Sequence, residues 1–331
     1  MKSPFVNIVP PALVNRASGD RLDHKVSEWI QPWDYQESLH AGFIGLPLSR
    51  SSISASAASE TPNALRASWK SFATYDADHD VDLSSLCVRD IGDIRMHTTD
   101  IKQCHRNIAE GLYELYQQTK HFPHFMPLII GGDHSITRPS FNAFVRANND
   151  KKVGLIQFDT HFDVRVLDQG ASNGTPIRGL IEEDGVIEGK HIYQLGIHSF
   201  ANSAAYKEYV VEKGITFYTM NQVRRRGLQN ILSSCIEELK QEVDLIYVTV
   251  DIDVLDLSFM PGSPGPSPGG MVSWDLFEAV YTLGLEEKVG AFDLVCLDPF
   301  RDVGQLSVKT GTHTMLSFLA GYTERLQGVE R

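Results

Sequence analysis

Acidic and imidazole side chains alternate in the stretch LIQFDTHFDVR, which covers residues 155–165. Asp159, His161 and Asp163 follow an apolar run at every second position. Side chains two apart on an extended segment point the same way, so these three groups are expected to converge on one small volume. Carboxylates held that close repel each other unless a proton or a cation lies between them. The pattern therefore indicates a cation site.

Two further stretches place similar groups directly after apolar runs. MPLIIGGDHS carries Asp133 and His134 directly after two glycines, and IYVTVDIDVLD carries Asp251 and Asp253 two positions apart. Taken alone, His134 is typical of a hydrogen-bonded core or loop histidine, and Asp251 of a helix cap. Taken together, aspartates at neighbouring strand ends are electrostatically unfavourable without bound cations. The combined set predicts metal binding.

The chemistry of these ligands also favours one metal. Carboxylates and imidazoles without a nearby thiolate suit a hard to borderline cation in five- or six-coordination, which favours manganese over zinc. The set exceeds what one such ion takes while it keeps an open position. Two ions at the roughly 3.5–4 Å separation of two-metal hydrolases fit better. We therefore expect two Mn²⁺ ions per subunit as the cofactor.

Such a site needs elements that bring several strand ends together. Short runs that are apolar on consecutive residues predict strands buried on both faces. They cover residues 42–48, 87–94, 126–132, 153–159, 191–197, 214–220, 244–251 and 289–298. Segments of helical period lie between them, and the clearest cover residues 99–120, 135–147, 223–242 and 273–286. The alternation predicts an α/β fold with a parallel sheet, whose sites lie beyond the carboxyl ends of its strands.

The composition restricts the class of protein further. The chain has 331 residues and a formal charge of −12, which argues against binding to a nucleic-acid backbone. The basic run at 224–226 is interpreted as a solvated helix start. No composition shift marks a boundary, so we predict a single domain over residues 1–331, with residues 1–35 peripheral on its surface.

Cysteine usage and hydropathy bear on the compartment. The four cysteines have no CxxC spacing, which predicts free thiols in a reducing environment. The N-terminal stretch has no apolar core of signal-peptide length, and no run approaches the roughly 20 apolar residues that span a bilayer. The expectation is a cytoplasmic protein that acts on a small molecule and binds neither a membrane nor nucleic acid.

Three motifs resemble those of one family. GGDHS, D-x-H-x-D and the stretch TVDIDVLDLSFMPGSPGPSPGG are similar to motifs of the arginase/agmatinase/formimidoylglutamase family, the manganese ureohydrolases. The resemblance runs from about residue 40 to the end of the chain. It implies a three-layer α/β/α fold with an eight-stranded parallel sheet. It also implies a metal-ligand set for two manganese ions: His134, Asp159, Asp163 and Asp251 for the first, and Asp159, His161, Asp251 and Asp253 for the second, with Asp159 and Asp251 bridging.

The same resemblance implies hydrolysis of a C–N bond in a linear amidine or guanidine. Two divalent cations lower the pKa of a water that they share, which supplies a nucleophile near neutral pH. Asp163 is the expected catalytic residue, because it can hold a proton and help to pass it to the departing amine. The loop PGSPGPSPGG is expected to form a rigid wall of the site rather than a simple connector.

The substrate is predicted from the segments around these motifs. FDVRVLDQGASNGTPIRGL and LPLSRSSISASAASETPNALR resemble the formimidoylglutamase branch, which hydrolyses N-formimidoyl-L-glutamate to formamide and L-glutamate in histidine degradation. A substrate with two carboxylates favours arginines, which clamp carboxylates bidentately. Arg165 and Arg178 are the predicted substrate-binding arginines, and Asn173 between them is also predicted to bind substrate. The alternative is that both arginines form surface salt bridges.

Two positions depart from arginases and agmatinases. Asn173 stands where those enzymes have a histidine proposed as a proton shuttle, and Cys296 stands where they have a glutamate that binds the guanidinium. With Cys296 neutral, Asp298 or a metal-bound group would then have to recognise the formimidoyl group. Agmatinase or guanidino-acid hydrolase activity is one alternative, and a catalytically silent metal-binding relative is another. The family resemblance implies a homo-oligomer, either a trimer or a hexamer.

Overall fold

A central sheet organises the chain, which is described here by a computed structural model over residues 4–13 and 20–329. The strands in chain order are β1 (Ile8–Val9), β2 (Gln31–Pro32), β3 (Ala41–Gly45), β4 (Tyr75–Asp76), β5 (Val81–Asp82), β6 (Val88–Ile94), β7 (Met126–Ile130), β8 (Val153–Phe158), β9 (Ile192–Ile197), β10 (Thr216–Thr219), β11 (Leu245–Asp251) and β12 (Val289–Val295). β4 and β5 form a separate antiparallel pair, and the other strands belong to the central sheet.

Ten α-helices are present in the described residues. They are α1 (Val26–Trp29), α2 (Thr61–Ser68), α3 (Ile101–Thr119), α4 (Thr137–Ala147), α5 (Pro176–Glu182), α6 (Ala204–Glu212), α7 (Met220–Arg226), α8 (Leu228–Glu242), α9 (Ser273–Leu285) and α10 (Leu306–Val329). Within those same residues, no helix combines the length and apolar character that a bilayer crossing requires.

Eight strands pair in parallel in the order β6-β3-β7-β12-β11-β8-β9-β10. Each of them falls on one of the eight apolar runs, so the predicted parallel sheet is confirmed. The reason is visible in β8, where every residue from Val153 to Phe158 is buried. A strand covered on both faces selects apolar side chains at consecutive positions.

The two faces of the sheet carry separate apolar cores, which confirms the three-layer architecture. Ile156 and Val248 point into a core shared with α8, α9 and α10. Leu155 and Tyr247 are their neighbours in sequence and point into a core shared with α3, α4, α5 and α6. Successive side chains of a strand point to opposite faces, so one apolar run supplies both cores.

The N-terminal segment, residues 1–35, is predicted to be peripheral. Its described part contributes two short strands to the central sheet. β1 pairs antiparallel and β2 pairs parallel with the outer edge of β6, which extends the sheet to ten strands. Ile8 and Trp33 are buried. These pieces cover the exposed edge of β6, which would otherwise present unpaired backbone groups. Residues 1–3 and 14–19 of this segment lie outside the described part of the chain.

The predicted helix over residues 223–242 is two helices, and this is a correction. Gly227 has φ +80° and separates α7 from α8, since the left-handed region that glycine tolerates ends a helix. The basic run at 224–226 therefore lies in the last turn of α7 and is not a helix start. Arg224 donates hydrogen bonds to the carbonyls of Gly269 and Gly270, which anchors the end of the Pro/Gly-rich loop.

The four central strands bring the predicted site together. β7, β12, β11 and β8 are neighbours in the sheet, and their carboxyl ends meet at one edge. Gly132 follows β7 at a point of close approach, because a Cβ there would lie 1.8 Å from the carbonyl oxygen of Leu48. The Leu48 carbonyl accepts a hydrogen bond from Asp133 N at 2.7 Å. A residue without a side chain is needed here to seat the turn that follows β7.

Candidate metal centre and active site

Tight turns beyond the strand ends aim the acidic side chains inward. The Asp159 carboxylate accepts a hydrogen bond from His161 N at 2.6 Å, and the Asp251 carboxylate accepts one from Asp253 N at 3.0 Å. An aspartate that caps the backbone two residues further on forms a local turn. The predicted convergence is therefore present, but it arises from turns and not from continued extended strand, since β8 ends at Phe158.

His134 lies at the centre of a buried group of carboxylates. Its Nδ1 is 2.7 Å from an oxygen of Asp163, 3.1 Å from one of Asp159 and 3.2 Å from one of Asp251. Its other ring nitrogen, Nε2, lies 3.0 Å from the Thr249 hydroxyl oxygen. A hydrogen bond at Nε2 fixes the imidazole so that Nδ1 faces the carboxylates, as metal-binding histidines require.

His161 organises the second half of the cluster. Its Nδ1 is 3.2 Å from Asp159 and 3.3 Å from Asp253. Asp159 thus lies between the two imidazoles. Two adjacent triads have ligand atoms close enough to hold metal ions, one formed by His134, Asp159 and Asp251 and the other by Asp159, His161 and Asp163. The structure brings all six of the predicted metal ligands to this cluster.

The residues present fit a cation between them. His134 Nδ1 and Asp163 Oδ2 are both buried, and neither has a hydrogen-bond partner within the described part of the chain, although they are 2.7 Å apart. Buried polar atoms of this kind normally have a partner. Four carboxylates and two imidazoles offer the oxygen and nitrogen donors of a hard to borderline divalent ion.

The electrostatics of the metal-free cluster point the same way. Burial, followed by the charges of two neighbouring aspartates, raises the pKa of the Asp251 carboxyl to about 8. Burial and the charge of Asp159 raise the pKa of the Asp163 carboxyl to about 6. Burial lowers the pKa of His134, but the charge of Asp163 and the close approach of the other carboxylates outweigh it and raise that pKa well above its ordinary value. Without a cation, the cluster must take up protons to offset its own charge.

Two glutamines that support the metal cluster are not predicted from the sequence. Gln157 Nε2 donates to the Asp159 carboxylate at 2.6 Å, and Gln194 Nε2 donates to Gln157 Oε1 at 2.8 Å and to the Phe162 carbonyl at 2.8 Å. Both glutamines are fully buried on strands. A polar residue inside an otherwise apolar run is the signal that could have identified them, because a buried amide needs hydrogen-bond partners.

A cavity of about 140 Å³ opens onto the metal cluster. His161, Asp163, Asp251 and Asp253 form its floor. Its walls include Ile53, Arg165, Asn173, Asn202, Tyr206, Pro264, Gly265 and Cys296. Pro264 and Gly265 belong to the Pro/Gly-rich loop, so that loop does contribute a wall of the cavity. The volume admits a small molecule rather than a macromolecular chain.

The predicted substrate-binding residues occupy different positions relative to this cavity. Arg165 and Asn173 line it. Asn173 Oδ1 accepts a hydrogen bond from Ile53 N at 2.9 Å, which joins two loops of the rim. Arg178 is not among the lining residues. Its Nε donates to the Val164 carbonyl at 2.8 Å, and its guanidinium lies 3.8 Å from the centre of the Tyr209 ring.

Cys296 and Asp298 also differ in position. Cys296 lines the cavity with φ +64°, and burial raises the pKa of its thiol well above the ordinary value, so the side chain is neutral. The Asp298 carboxylate accepts hydrogen bonds from Ala57 N and Phe300 N, each at 2.9 Å. Asp298 is thus committed to holding two loops together and is absent from the residues that line the cavity.

Comparisons with known proteins define the class to which this fold and site belong. The model of the arginase family matches residues 39–321, and the chain belongs to that family. Among its relatives, a formimidoylglutamase of Halalkalibacterium halodurans is 42% identical over 303 residues, which cover 91% of this chain and 93% of the relative. A formimidoylglutamase of Bacillus subtilis is 37% identical over the same shares.

Solved structures agree with this placement. The crystal structure of the Bacillus subtilis formimidoylglutamase superposes with a TM-score of 0.87 at 35% identity and covers 93% of this chain and 96% of that chain. A Trypanosoma cruzi formiminoglutamase solved with Mn²⁺ superposes with a TM-score of 0.82 at 22% identity and covers 92% of this chain and 99% of that chain. The second likeness shows that the arginase-like fold is shared.

Proposed function

We propose that this chain is a formimidoylglutamase that hydrolyses N-formimidoyl-L-glutamate to formamide and L-glutamate. The main support for this activity is that one cavity combines a cluster of carboxylates and imidazoles with Arg165. Water supplies the oxygen of formamide, and the bond between the formimidoyl carbon and the amino nitrogen of glutamate breaks. Membership of the arginase family and the two relatives that carry this activity support the assignment.

Two Mn²⁺ ions are the proposed cofactor, held by the six residues of the cluster. His134, Asp163 and Asp251 surround one position, and His161 and Asp253 adjoin the other, with Asp159 between the two imidazoles. Asp159 and Asp251 would each contribute to holding both ions. When bound, two such ions polarise the substrate and make water a nucleophile near neutral pH.

The residues of the chain then bind and orient the substrate, and they move protons. Asp163 is the proposed catalytic residue, because its carboxylate lies on the cavity floor and its Oδ2 has no hydrogen-bond partner in the described structure. In that position it can take a proton from the attacking water and pass it to the departing amine. Asn173 cannot exchange protons. Its proposed role is to hold the segment over residues 159–175 between β8 and α5, here called the substrate loop, against Ile53.

Arg165 is the proposed carboxylate-binding residue of the cavity, since a guanidinium clamps a carboxylate with two parallel hydrogen bonds. For Arg178 the contacts support an indirect role in substrate binding. It fixes the carbonyl of Val164, the residue before Arg165, and so positions that arginine. With Cys296 neutral and Asp298 engaged elsewhere, the negative groups that remain for the formimidoyl nitrogen are the carboxylates of the cavity floor.

Two broader properties belong to the same proposal. The four cysteines are free thiols in the structure, which supports a reducing compartment such as the cytoplasm. The expected homo-oligomer, a trimer or a hexamer, also stays a proposal. Sedimentation of the purified chain would measure that assembly state directly.

A substrate panel tests the function. The manganese-loaded protein is incubated with N-formimidoyl-L-glutamate, agmatine, guanidino acids and arginine, and both formamide and urea are quantified. We expect formamide from the first compound and no urea from the others. Urea release would assign the chain to the agmatinases or guanidino-acid hydrolases, and no product from any compound would indicate a catalytically silent relative.

A further inference from the structure

A second cavity shares part of its lining with the one above the metal centre. Its volume is about 470 Å³. Ile53, Arg165 and Tyr206 line both cavities, whereas Arg50 lines only the outer one. The metal ligands line the first cavity, Arg165 lines both, and Arg50 lines the outer one.

The loop that carries Arg50 is fixed to the active site. It follows β3, and the neighbouring residue Ser51 donates its hydroxyl to the Asp133 carboxylate at 2.8 Å. The Ser51 carbonyl accepts a hydrogen bond from Asn173 N at 3.1 Å. The position of Arg50 is thus set by contacts with the turn that precedes His134 and with the substrate loop. Residues held this firmly can recognise a ligand with little ordering cost.

Arg50 keeps hydrogen-bonding capacity for a ligand. Its Nη2 donates to the His97 carbonyl and lies 3.5 Å from the Cys104 sulfur. Nε and Nη1 have no acceptor within residues 4–13 and 20–329. A guanidinium carries five N–H donors in a planar fork, so the contacts of Nη2 orient the group and leave donors of Nε and Nη1 for a ligand in the cavity that Arg50 lines.

The charges around the outer cavity favour an anion. In a chain of net charge −12, neither Arg50 nor Arg165 comes within ion-pairing distance of a carboxylate in the described structure. Asp168 is the one acidic side chain among the residues that line this cavity. Two guanidinium groups that line one cavity without an acidic partner create a local positive potential that attracts a carboxylate.

We propose that Arg50 is a specificity-determining residue that binds the side-chain carboxylate of N-formimidoyl-L-glutamate, while Arg165 binds the α-carboxylate. This assignment rests on the proposed function. Along the substrate chain, the α-carboxylate is nearer to the formimidoyl carbon than the side-chain carboxylate. Arg165 lines both cavities and Arg50 only the outer one, so the order of the arginines matches the order of the carboxylates.

Gly174 offers a variant that moves Arg165 without changing the charge. A Cβ at Gly174 would lie 2.6 Å from Cδ and 3.0 Å from Nε of Arg165, which is closer than such atoms pack. The Gly174 carbonyl also accepts a hydrogen bond from Arg165 N at 2.9 Å. The Arg165 side chain thus lies across Gly174, and Gly174→Ala should displace it.

The test compares N-formimidoyl-L-glutamate with N-formimidoyl-L-glutamine, in which an amide of the same shape replaces the side-chain carboxylate. Arg50→Ala should lower kcat/KM for the glutamate compound by about tenfold to a hundredfold, chiefly through KM, because a charge-assisted hydrogen bond is lost. It should leave kcat/KM for the glutamine compound nearly unchanged. Arg165→Ala and Gly174→Ala should lower kcat/KM for both compounds.

Arg106→Ala is the charge-matched control, since this exposed arginine bonds only to Gln103 within the described residues. It should leave the preference for the glutamate compound intact. An equal loss of kcat/KM on both compounds in Arg50→Ala would overturn the proposal. No loss of kcat/KM on either compound would also overturn it. If Arg50→Ala does not fold, Arg50→Gln replaces it, because it keeps a polar side chain and removes the charge.

A binding measurement separates this inference from the proposed function. Calorimetry of the manganese-loaded protein should show L-glutamate binding at least about tenfold more weakly to Arg50→Ala than to the unchanged protein. Failure of the unchanged protein to release formamide would defeat the proposed function. Equal affinity of both proteins for L-glutamate would defeat the role of Arg50, whatever the activity assay shows.

Discussion

At the scale of single residues, the site combines a strand end with a turn that the same side chain stabilises. Asp159 and Asp251 each accept a backbone hydrogen bond from the residue two positions on, and each also faces the imidazole of His134. One carboxylate thereby shapes the turn and contributes to the cation site. This double use explains why the acids recur at two-residue spacing although the strand has already ended.

Gln157 is predicted to support metal binding through Asp159. Its amide donates to the Asp159 carboxylate at 2.6 Å, which fixes the orientation of that oxygen. Gln157→Leu should weaken Mn²⁺ affinity by about tenfold to a hundredfold, as the loss of such an outer contact commonly does. Calorimetric titration of the metal-free protein measures this change.

The matched control for that variant is Gln229→Leu on α8, whose side chain contacts Thr282 on the opposite face of the sheet. It should leave the Mn²⁺ affinity as it is. If Gln157→Leu binds Mn²⁺ as tightly as the control does, the hydrogen bond to Asp159 has no part in holding the metal.

At the scale of elements, the sequence predicts most of what builds the site. The eight parallel strands could be predicted because burial on both faces leaves consecutive apolar residues, as in β8. The contacts of Arg165 and Arg178 could not be predicted. Both arginines follow the D-x-H-x-D motif, and the sequence does not distinguish their surroundings. Only the folded chain shows that Arg178 on α5 turns toward Tyr209 and the Val164 carbonyl. β1 and β2 are two residues each, too short to leave a periodic pattern.

Helix α2 is joined to β6 by a buried ion pair. Arg66 is fully buried, and its Nε and Nη2 donate to the two oxygens of Asp90 at 2.7 and 2.9 Å, while Nη1 donates to Asp93 at 2.8 Å. Arg66→Leu should lower the free energy of unfolding by about 3–5 kcal/mol, because it leaves the carboxylates buried without their partner. Denaturant titration measures the loss.

An exposed ion pair provides the comparison for that variant. Arg146 on α4 pairs with Glu110 at 2.9 Å, and about half of each side chain is exposed. Arg146→Leu should cost no more than about 1 kcal/mol, since water screens such a pair. Equal losses for Arg66→Leu and Arg146→Leu would show that the buried pair has no special structural weight.

At the scale of the whole molecule, the fold concentrates negative charge at one edge of its sheet. Four aspartates with two histidines meet at the carboxyl ends of β7, β8 and β11, inside a chain of net charge −12. Bringing these charges together raises the free energy of the folded state, whereas in the unfolded chain the charges are solvated and far apart. Bound cations offset that cost, so the metal contributes to the stability of the fold as well as to the chemistry.

Removal of the metal should therefore lower the melting temperature. A ligand that binds only the folded state stabilises that state by about 2.7 kcal/mol when the ligand concentration is a hundred times Kd. In a chain of this size, that corresponds to a rise of a few degrees in the melting temperature. Calorimetric scans with a chelator and after return of Mn²⁺ measure the effect. A melting temperature that is the same in both scans would mean that the cluster does not hold the metal in the folded protein.

We propose that hydrolysis of N-formimidoyl-L-glutamate by this chain requires two Mn²⁺ ions held by the cluster. Titration of the metal-free protein with Mn²⁺, with formamide release measured at each step, tests it most directly. Formamide release should rise to its maximum as two ions bind per chain and should stay near zero throughout in Asp159→Ala. Full activity with one ion per chain, or no formamide at any manganese concentration, would contradict it.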